Sequence, residues 1–414
     1  MLSHDAIAAL AEEVITQARH VIAQFGPRAP GSPGERKAQE YMAKCLAVAD
    51  ADEVCCEGFG VASQAFMRFQ TVTGWLLIAA FAAYWISPLP ALLLSLTGFA
   101  VTWFQFVRYR MLLDPLYCTT ASMNVFARWE STQETKRRII LNAHMDAAYE
   151  WRYHYRWPRA FPWLMRYGLL GLPLMVLIDL VAVGLVFVAP HSAALIYLGL
   201  AQALLLPGFV LSLFFTDFNT TVPGANDNLS GVFIALGVSK ALCAPGQRLK
   251  HTEIACLITG SEEAGLRGAK AWAARHAGEL ADCETVILTL DTLRDLDHMV
   301  VYDRDLNGTV RNDAAFSALV QSAAKTCGYD IPLASIPLGS TDAAAFTQAG
   351  LRATALCAMD PAPADFYHTR RDDVDAMDAG CVAAAIAVAA ETIRRFDGGT
   401  WEVDLRSPLS SHAP

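Results

Sequence analysis

Apolar and polar positions alternate along this chain with two different periods. Residues 5–24 and 34–48 repeat apolar side chains every three to four positions, the spacing of an amphipathic helix. MNVFARWE and RRIILNAHMD read instead as strands joined by the polar turn STQETK. Beyond residue 228 the spacing predicts an apolar helix (229–243), strand EIACLIT, helix 264–277, strands TVILTL and MVVY, helix 312–327, strand ATALCAM and a long helix 376–396. Strands alternating with helices predict an α/β fold with a mostly parallel, mixed sheet flanked by helices.

Two other stretches have no polar face at all. From Phe69 to Val107 there is no Asp, Glu, Lys, Arg or His, whereas Arg68, Arg108 and Arg110 stand just outside. Ser87-Pro88-Leu89-Pro90 breaks this run into halves of about 19 residues, each the length that spans a hydrocarbon layer of about 30 Å. Tyr167 to Phe215 repeats the plan around Pro190-His191-Ser192, with Asp179 as its acidic intrusion. Soluble core helices are seldom uncharged over about 18 residues, so the expectation is a four-helix transmembrane region made of two inserted hairpins, 69–107 and 167–215. The remaining pieces, 1–68, 111–160 and 216–414, form one discontinuous catalytic domain.

Charge orients this arrangement. Arg68, Arg108, Arg110, Arg152, Arg156, Arg159 and Arg166 flank the outer ends of the hairpins, and the short tips carry no Lys or Arg. By the positive-inside rule those outer ends are cytoplasmic, which predicts a multi-pass integral membrane protein with the catalytic domain and both termini in the cytoplasm. The start, MLSHDAIAALAEEV, has acidic residues where a signal peptide needs a basic start and an apolar core. Asp179 is expected to face the bundle interior or water rather than lipid.

Composition narrows the function classes. The 414 residues are 54% hydrophobic and 18% charged, with a formal charge of −9, which excludes disordered and collagen-like chains and disfavours nucleic acid as a partner. The ten cysteines include no Cys-x-x-Cys pair, so free thiols are expected.

Candidate chemistry clusters where strands end. LNAHMD places His144 and Asp146 at i and i+2, on one side of an extended chain. PGANDNLSG sets Asp227 before a helix, and TGSEEAGLRG follows a strand with Glu262 and Glu263, so that one can bind metal while the other works on a water. LTLD ends in Asp291, and ADFYHTRRDD supplies His368 with Asp372 close behind. Each piece alone is weak, but the order His, Asp, Glu-Glu, Asp, His offers two histidines, three carboxylates and a spare Glu. That set suffices for two zinc ions sharing a carboxylate and a water.

In this order the sequence resembles metallopeptidase family 28, the di-zinc aminopeptidases related to glutamate carboxypeptidase and glutaminyl cyclase. PRAPGSPGERKAQEYM resembles the family's opening, NAHMDA its first ligand motif, GANDNLSG its bridging-ligand motif and SEEAGLRGA its catalytic motif. LTLDTL, GSTDAAAF and YHTRRDD resemble its next ligand, its Ser/Asp loop and its last ligand. The resemblance implies the zinc exopeptidase fold and two Zn2+, with His144 and Asp291 on one, Glu263 and His368 on the other, and Asp227 bridging. It makes Glu262 the general base and Asp146 the carboxylate that orients His144, and it implies a cis peptide at Asp227-Asn228. The inserted hairpin between His144 and Asp227 departs from the family's usual short connection.

The function expected from this reading is a membrane-embedded di-zinc aminopeptidase acting on peptides, with the lipid bilayer as its other partner. A single-zinc glutaminyl cyclase and a non-catalytic membrane receptor or scaffold are the alternatives. If STQETK turns the chain tightly, the strands on either side run antiparallel. Both hairpins would then emerge at the catalytic edge, favouring membrane-adjacent peptides.

Overall fold

The computed structural model describes residues 2–360, 362 and 364–399. Among them the strands are β1 (Glu53–Val61), β2 (Thr120–Trp129), β3 (Arg137–His144), β4 (Tyr149–Trp151), β5 (Thr216–Thr221), β6 (Thr252–Thr259), β7 (Glu284–Leu293), β8 (Met299–Asp305), β9 (Val310–Arg311), β10 (Leu333–Ser335) and β11 (Arg352–Ala358). The α-helices are α1 (His4–Phe25), α2 (Pro33–Val48), α3 (Phe69–Tyr84), α4 (Pro88–Val101), α5 (Arg152–Arg156), α6 (Phe161–Val188), α7 (Ala193–Ala203), α8 (Leu206–Ser212), α9 (Gly231–Leu242), α10 (Arg267–His276), α11 (Ala314–Thr326), α12 (Asp342–Gln348) and α13 (Ala379–Asp397). The chain forms two compact units. One comprises the described residues of Met1–Ser63, Thr119–Ala148 and Thr221–Pro414, and the other Gln64–Cys118 and Tyr149–Thr220.

The first unit is built on a sheet ordered β1-β2-β6-β3-β7-β11-β8-β10, with β9 on β8. Its centre, β6-β3-β7-β11, is parallel, whereas β1, β2 and β8 pair antiparallel. Strands covered on both faces need no polar alternation, and β6 and β7 are buried almost throughout. On one face Ile139, Leu141, Ile254, Cys256, Val286 and Leu288 pack against apolar stripes of α1, α2, α9, α11 and α13. On the other lie α10 and α12, joined by Trp272 against Phe346. Helix starts follow local chemistry: Ser3, Ser32, Asp313 and Asp378 each accept a backbone N–H in the first turn of α1, α2, α11 and α13.

The expected tight hairpin between β2 and β3 is not formed. β2 and β3 do run antiparallel, but β6 lies between them. STQETK is not a tight hairpin, because Thr132, Gln133 and Lys136 donate their backbone N–H groups to Leu249, Lys250 and His251 on the approach to β6. β1 is an addition. With two glycines and two glutamates in EVCCEGFGV its sequence carries little strand signal, and pairing with β2 makes it the edge strand.

The second unit is mainly helical, with β4 and β5 paired as a two-stranded sheet. Three of its helical segments are long and apolar enough to cross a membrane: Pro88–Val107 (20 residues, α4 with the π-helical turn Thr102–Val107), Phe161–Val188 (28, α6) and Ala193–Ser212 (20, α7 with α8), with mean hydropathies of 1.5, 2.5 and 2.0. The fourth, α3, has 16 residues and is shorter than that. α6 begins ahead of Arg166, which therefore lies inside the helix rather than outside the span, its guanidinium 5.0 Å from the centre of the Trp163 ring. A long cationic side chain one turn from a helix end can reach the interface, so this placement is compatible with a span. Leu77 and Ala80 of α3, Leu172, Met175 and Ile178 of α6, and Phe209 of α8 form the interior of the unit. Asp179 is fully buried, and Gln202 donates to its Oδ1 at 2.7 Å.

Candidate metal centre

The site belongs wholly to the first unit and is assembled at the carboxyl ends of its parallel strands, where an open α/β sheet leaves a crevice. His144 is the last residue of β3 and pairs in register with Thr259, the last of β6. Asp291 lies near the end of β7, where a register shift leaves Thr292 as a bulge with φ +48°. Such a bulge re-aims the neighbouring side chain, and the Thr292 hydroxyl donates to Asp291 Oδ1 at 2.9 Å. Glu262 and Glu263 follow β6 in the turn before α10, Asp227 sits in the loop leading into α9, and His368 lies on the loop after β11.

These residues converge. His144, Asp227 and Asp291 form one group, and Asp227, Glu263 and His368 another; within each, the candidate ligand atoms lie within 4.8 Å of one another. Asp227 is common to both. Its Oδ1 is 3.2 Å from His144 Nε2, and its Oδ2 is 3.2 Å from His368 Nε2. Asp291 Oδ1 lies 3.8 Å from His144 Nε2, and Glu263 Oε1 lies 3.2 Å from His368 Nε2. Glu262 belongs to neither group, with its Oε2 3.9 Å from His144 Nε2.

The donor set fits a divalent cation. Asp227, Glu262 and Asp291 are buried, with Asp146 behind them, and Glu263 Oε1 is a buried acceptor without a hydrogen bond. Concentrated carboxylates facing imidazole nitrogens are unstable unless a positive charge compensates them. The side-chain equilibria express the same demand. Burial works against a charged His144, but contacts with Asp146, Asp227 and Asp291 raise it well above the usual range. Burial likewise opposes His368, and Glu263 and Asp227 outweigh it, raising it to about 10. Burial raises Glu262 well above the usual carboxylate range; His144 opposes the shift, while Glu263, Asp342 and Asp291 add to it.

Around this centre lies a framework that the motifs only hinted at. Asp146 Oδ1 is 3.6 Å from His144 Nδ1, beyond hydrogen-bond distance, so its strongest ties are elsewhere. Its two oxygens accept the backbone N–H groups of Glu262 at 2.9 Å and Glu263 at 3.0 Å, fixing the turn that presents both glutamates. Glu35, three residues after the Ser32 cap, looks like half of a capping box. Its Oε1 instead takes the backbone N–H and hydroxyl of Ser261, and its Oε2 the N–H of Gly31. Ser261 and His368 both adopt positive φ, +53° and +51°, a conformation that L-residues hold only when neighbours over-determine it.

Two further residues hold the loop that carries Asp227. Asp372 Oδ1 accepts the backbone and side-chain N–H groups of Asn226, and its Oδ2 accepts the backbone N–H of Asp227. Arg28, fully buried, donates from Nε to the Met145 carbonyl and from Nη2 to that of Gly224, joining the His144 and Asp227 segments. Gly224 has φ +65°, and a Cβ there would meet Ala147 Cβ and Asp227 O at 2.7 Å, so no other residue fits. The peptide Asp227-Asn228 is cis, as the motif resemblance implies. Asp342 of GSTDAAAF is buried at the start of α12 and accepts from Thr259.

Similarity to known proteins follows this geometry. The chain matches the model of Peptidase family M28 over residues 212–393. That span includes Asp227, Glu262, Glu263, Asp291 and His368, whereas His144 and Asp146 precede it. No curated protein sequence matches the chain. Among solved structures, an aminopeptidase from Aneurinibacillus sp. strain AM-1 is similar at a TM-score of 0.56 and 14% identity, over 95% of this chain and 96% of that one. A zinc aminopeptidase from Bacillus subtilis is similar at 0.55 and 15%, over 93% and 94%. A glutaminyl cyclase from Bacteroides thetaiotaomicron is similar at 0.52 and 15%, over 94% and 97%. At these identities the likeness is one of fold. The resemblance to metallopeptidase family 28 is thus borne out in the mixed α/β fold and in the match to Peptidase family M28 over residues 212–393.

Proposed function

We propose that this chain is a membrane-embedded di-zinc aminopeptidase, with His144 and Asp291 holding one zinc ion, Glu263 and His368 the other, and Asp227 bridging them. The observation that carries the reading is the shared carboxylate, whose two oxygens face two different histidines at 3.2 Å each. Bound there, zinc would supply Lewis acidity towards a carbonyl oxygen and a water of near-neutral pKa.

The chain's own residues do the rest. Glu262 stands outside both ligand groups with a carboxyl raised by burial and by its acidic neighbours, so it is suited to take a proton from the attacking water and return it to the leaving amine. Asp146 holds the backbone of Glu262 from behind, which limits the motion of that carboxylate. The density of carboxylates favours a substrate's amino end over its carboxylate end, in keeping with the aminopeptidases among the similar folds. Three long apolar helices and the arginines at the hairpin bases support anchoring in a membrane, with the catalytic unit and both termini cytoplasmic. A covalently anchored catalytic unit meets membrane-associated peptides at high effective concentration, which favours them as substrates.

Glutaminyl cyclases share the fold, so cyclisation at a single zinc is the second reading. Metal analysis of purified protein, with a screen of aminoacyl, carboxypeptidase and N-acyl substrates, separates the two. About two zinc ions per chain and release of N-terminal residues are expected. Glu262→Gln should lower turnover by about 10²- to 10⁴-fold and keep both metals, whereas Glu263→Ala should lose metal. Equal metal loss in both variants would reverse the two roles, and one zinc with cyclase turnover would favour the second reading.

A further inference from the structure

The helical unit contains a cavity that the peptidase reading does not use. It measures about 130 Å³ and is walled by α3, α6 and α8, with Leu77, Leu164, Leu172, Phe209 and Phe215 among its lining residues. Cavities of about this size with apolar walls stay dry and accept benzene-sized groups.

Most polar atoms at the wall are already occupied, Gln70 Oε1 by the Thr216 hydroxyl at 3.1 Å. The Tyr153 hydroxyl donates to the Leu211 carbonyl at 3.0 Å, and the Tyr167 hydroxyl to that of Leu204. The Ser212 hydroxyl donates to the Phe209 carbonyl at 2.7 Å, and the Thr73 and Thr102 hydroxyls bond each other at 3.0 Å. A water entering the cavity would find few partners, whereas an alkyl segment would bury apolar surface at no polar cost.

The surroundings indicate which alkyl group is at hand. Trp75, Leu93, Leu170, Leu177, Leu180 and Leu200 are exposed on the same unit, and three of its helices are long enough to span a bilayer. The cavity also lies near the charged helix ends: Arg68 immediately precedes the lining residue Phe69, and Arg166 stands between the lining residues Met165 and Tyr167. The Arg68 guanidinium lies over the Phe218 ring and donates from Nη2 to Gln64, but its buried Nε–H has no acceptor. We propose that this cavity is a binding site for an anionic phospholipid, with an acyl segment between α3, α6 and α8 and the phosphate on Arg68.

Two glycines of α6 provide the test. Gly168 lines the cavity, Gly184 does not, and a Cβ at either meets nothing within 4 Å, so a side chain can leave the backbone at both without a clash. The full chain would be reconstituted in vesicles containing phosphatidylglycerol or phosphatidylcholine with a photoactivatable diazirine in one acyl chain, and labelled peptides identified by mass spectrometry. Labelling of α3, α6 and α8 is expected, and Gly168→Phe should reduce it about tenfold, the loss of about two buried methylenes, while Gly184→Phe leaves it unchanged. Arg68→Gln should remove a preference for phosphatidylglycerol without abolishing labelling. Equal labelling in wild type and both glycine variants would overturn the site, as would its displacement by an apolar peptide in place of lipid. No headgroup preference in wild type would overturn the assignment of Arg68.

Discussion

Asp372 offers a quantitative test of how the Asp227 loop is held. It is fully buried, and its carboxylate accepts N–H groups from the Asn226 backbone at 2.9 Å, the Asn226 side chain at 2.8 Å and the Asp227 backbone at 3.1 Å. Asp372→Ala leaves all three donors without an acceptor. A buried donor so stranded costs about 1–3 kcal/mol, and water entering the space would recover part of it, so a net loss of about 3 kcal/mol is reasonable. Part of that loss falls on folding. The rest falls on metal binding, since the freed loop carries Asp227, and a positioning carboxylate of this kind is worth about 10- to 100-fold in metal affinity. Asp372→Asn keeps the volume and one acceptor but turns an amide N–H₂ towards a donor, so it should lie between wild type and Asp372→Ala. Urea denaturation of the chelated protein measures the first part, and competition with a zinc indicator the second. Unchanged zinc affinity in Asp372→Ala, at any stability, would refute the claim that Asp372 braces Asp227 for the proposed metal site.

Two further outcomes are expected. Glu391 of α13 accepts from Arg394 and Arg395, and these hydrogen bonds, Arg394 first, hold its carboxyl below the usual value of 4.5 despite burial. A lowered folded-state pKa stabilises the protein fully above the unfolded value and progressively less as pH falls through the folded one. Glu391→Gln should therefore cost on the order of 1 kcal/mol at pH 7, with a gap to wild type that narrows as pH falls below the usual carboxylate value of 4.5 in denaturation of the chelated protein; a gap independent of pH would contradict this. On topology, Ser87→Cys and Ser192→Cys at the two hairpin tips should react with an impermeant thiol reagent from outside intact cells, and protection of both tips would refute the cytoplasmic orientation.

Much of this protein was legible without coordinates because the relevant signals are local. Helix periods, uncharged runs and Ser or Asp caps act over a few residues, and α1, α2, β6, β7, α11 and α13 lie close to where the pattern puts them. The candidate ligand motifs are legible for a related reason: His144, Asp291 and the glutamate pair stand where apolar strands stop, so chain direction alone brings them to one edge of a parallel sheet. Local signals fail where partners decide. EVCCEGFGV is a strand only because β2 offers it an edge, and STQETK is a long crossing because β6 enters between the strands it joins.

The framework of the site belongs to tertiary structure. Glu35 reads as a helix cap, yet its carboxylate reaches Ser261; Asp146 reads as a partner of His144, and it also bonds the Glu262-Glu263 backbone. Arg28 and Asp372 join loops far apart in sequence through single carbonyls and N–H groups. A sequence can offer a buried carboxylate or guanidinium, but which orphan backbone group it satisfies depends on which loops the packed sheet brings within about 3 Å, and in the low-dielectric interior that pairing decides whether the charge stabilises the site or destabilises it.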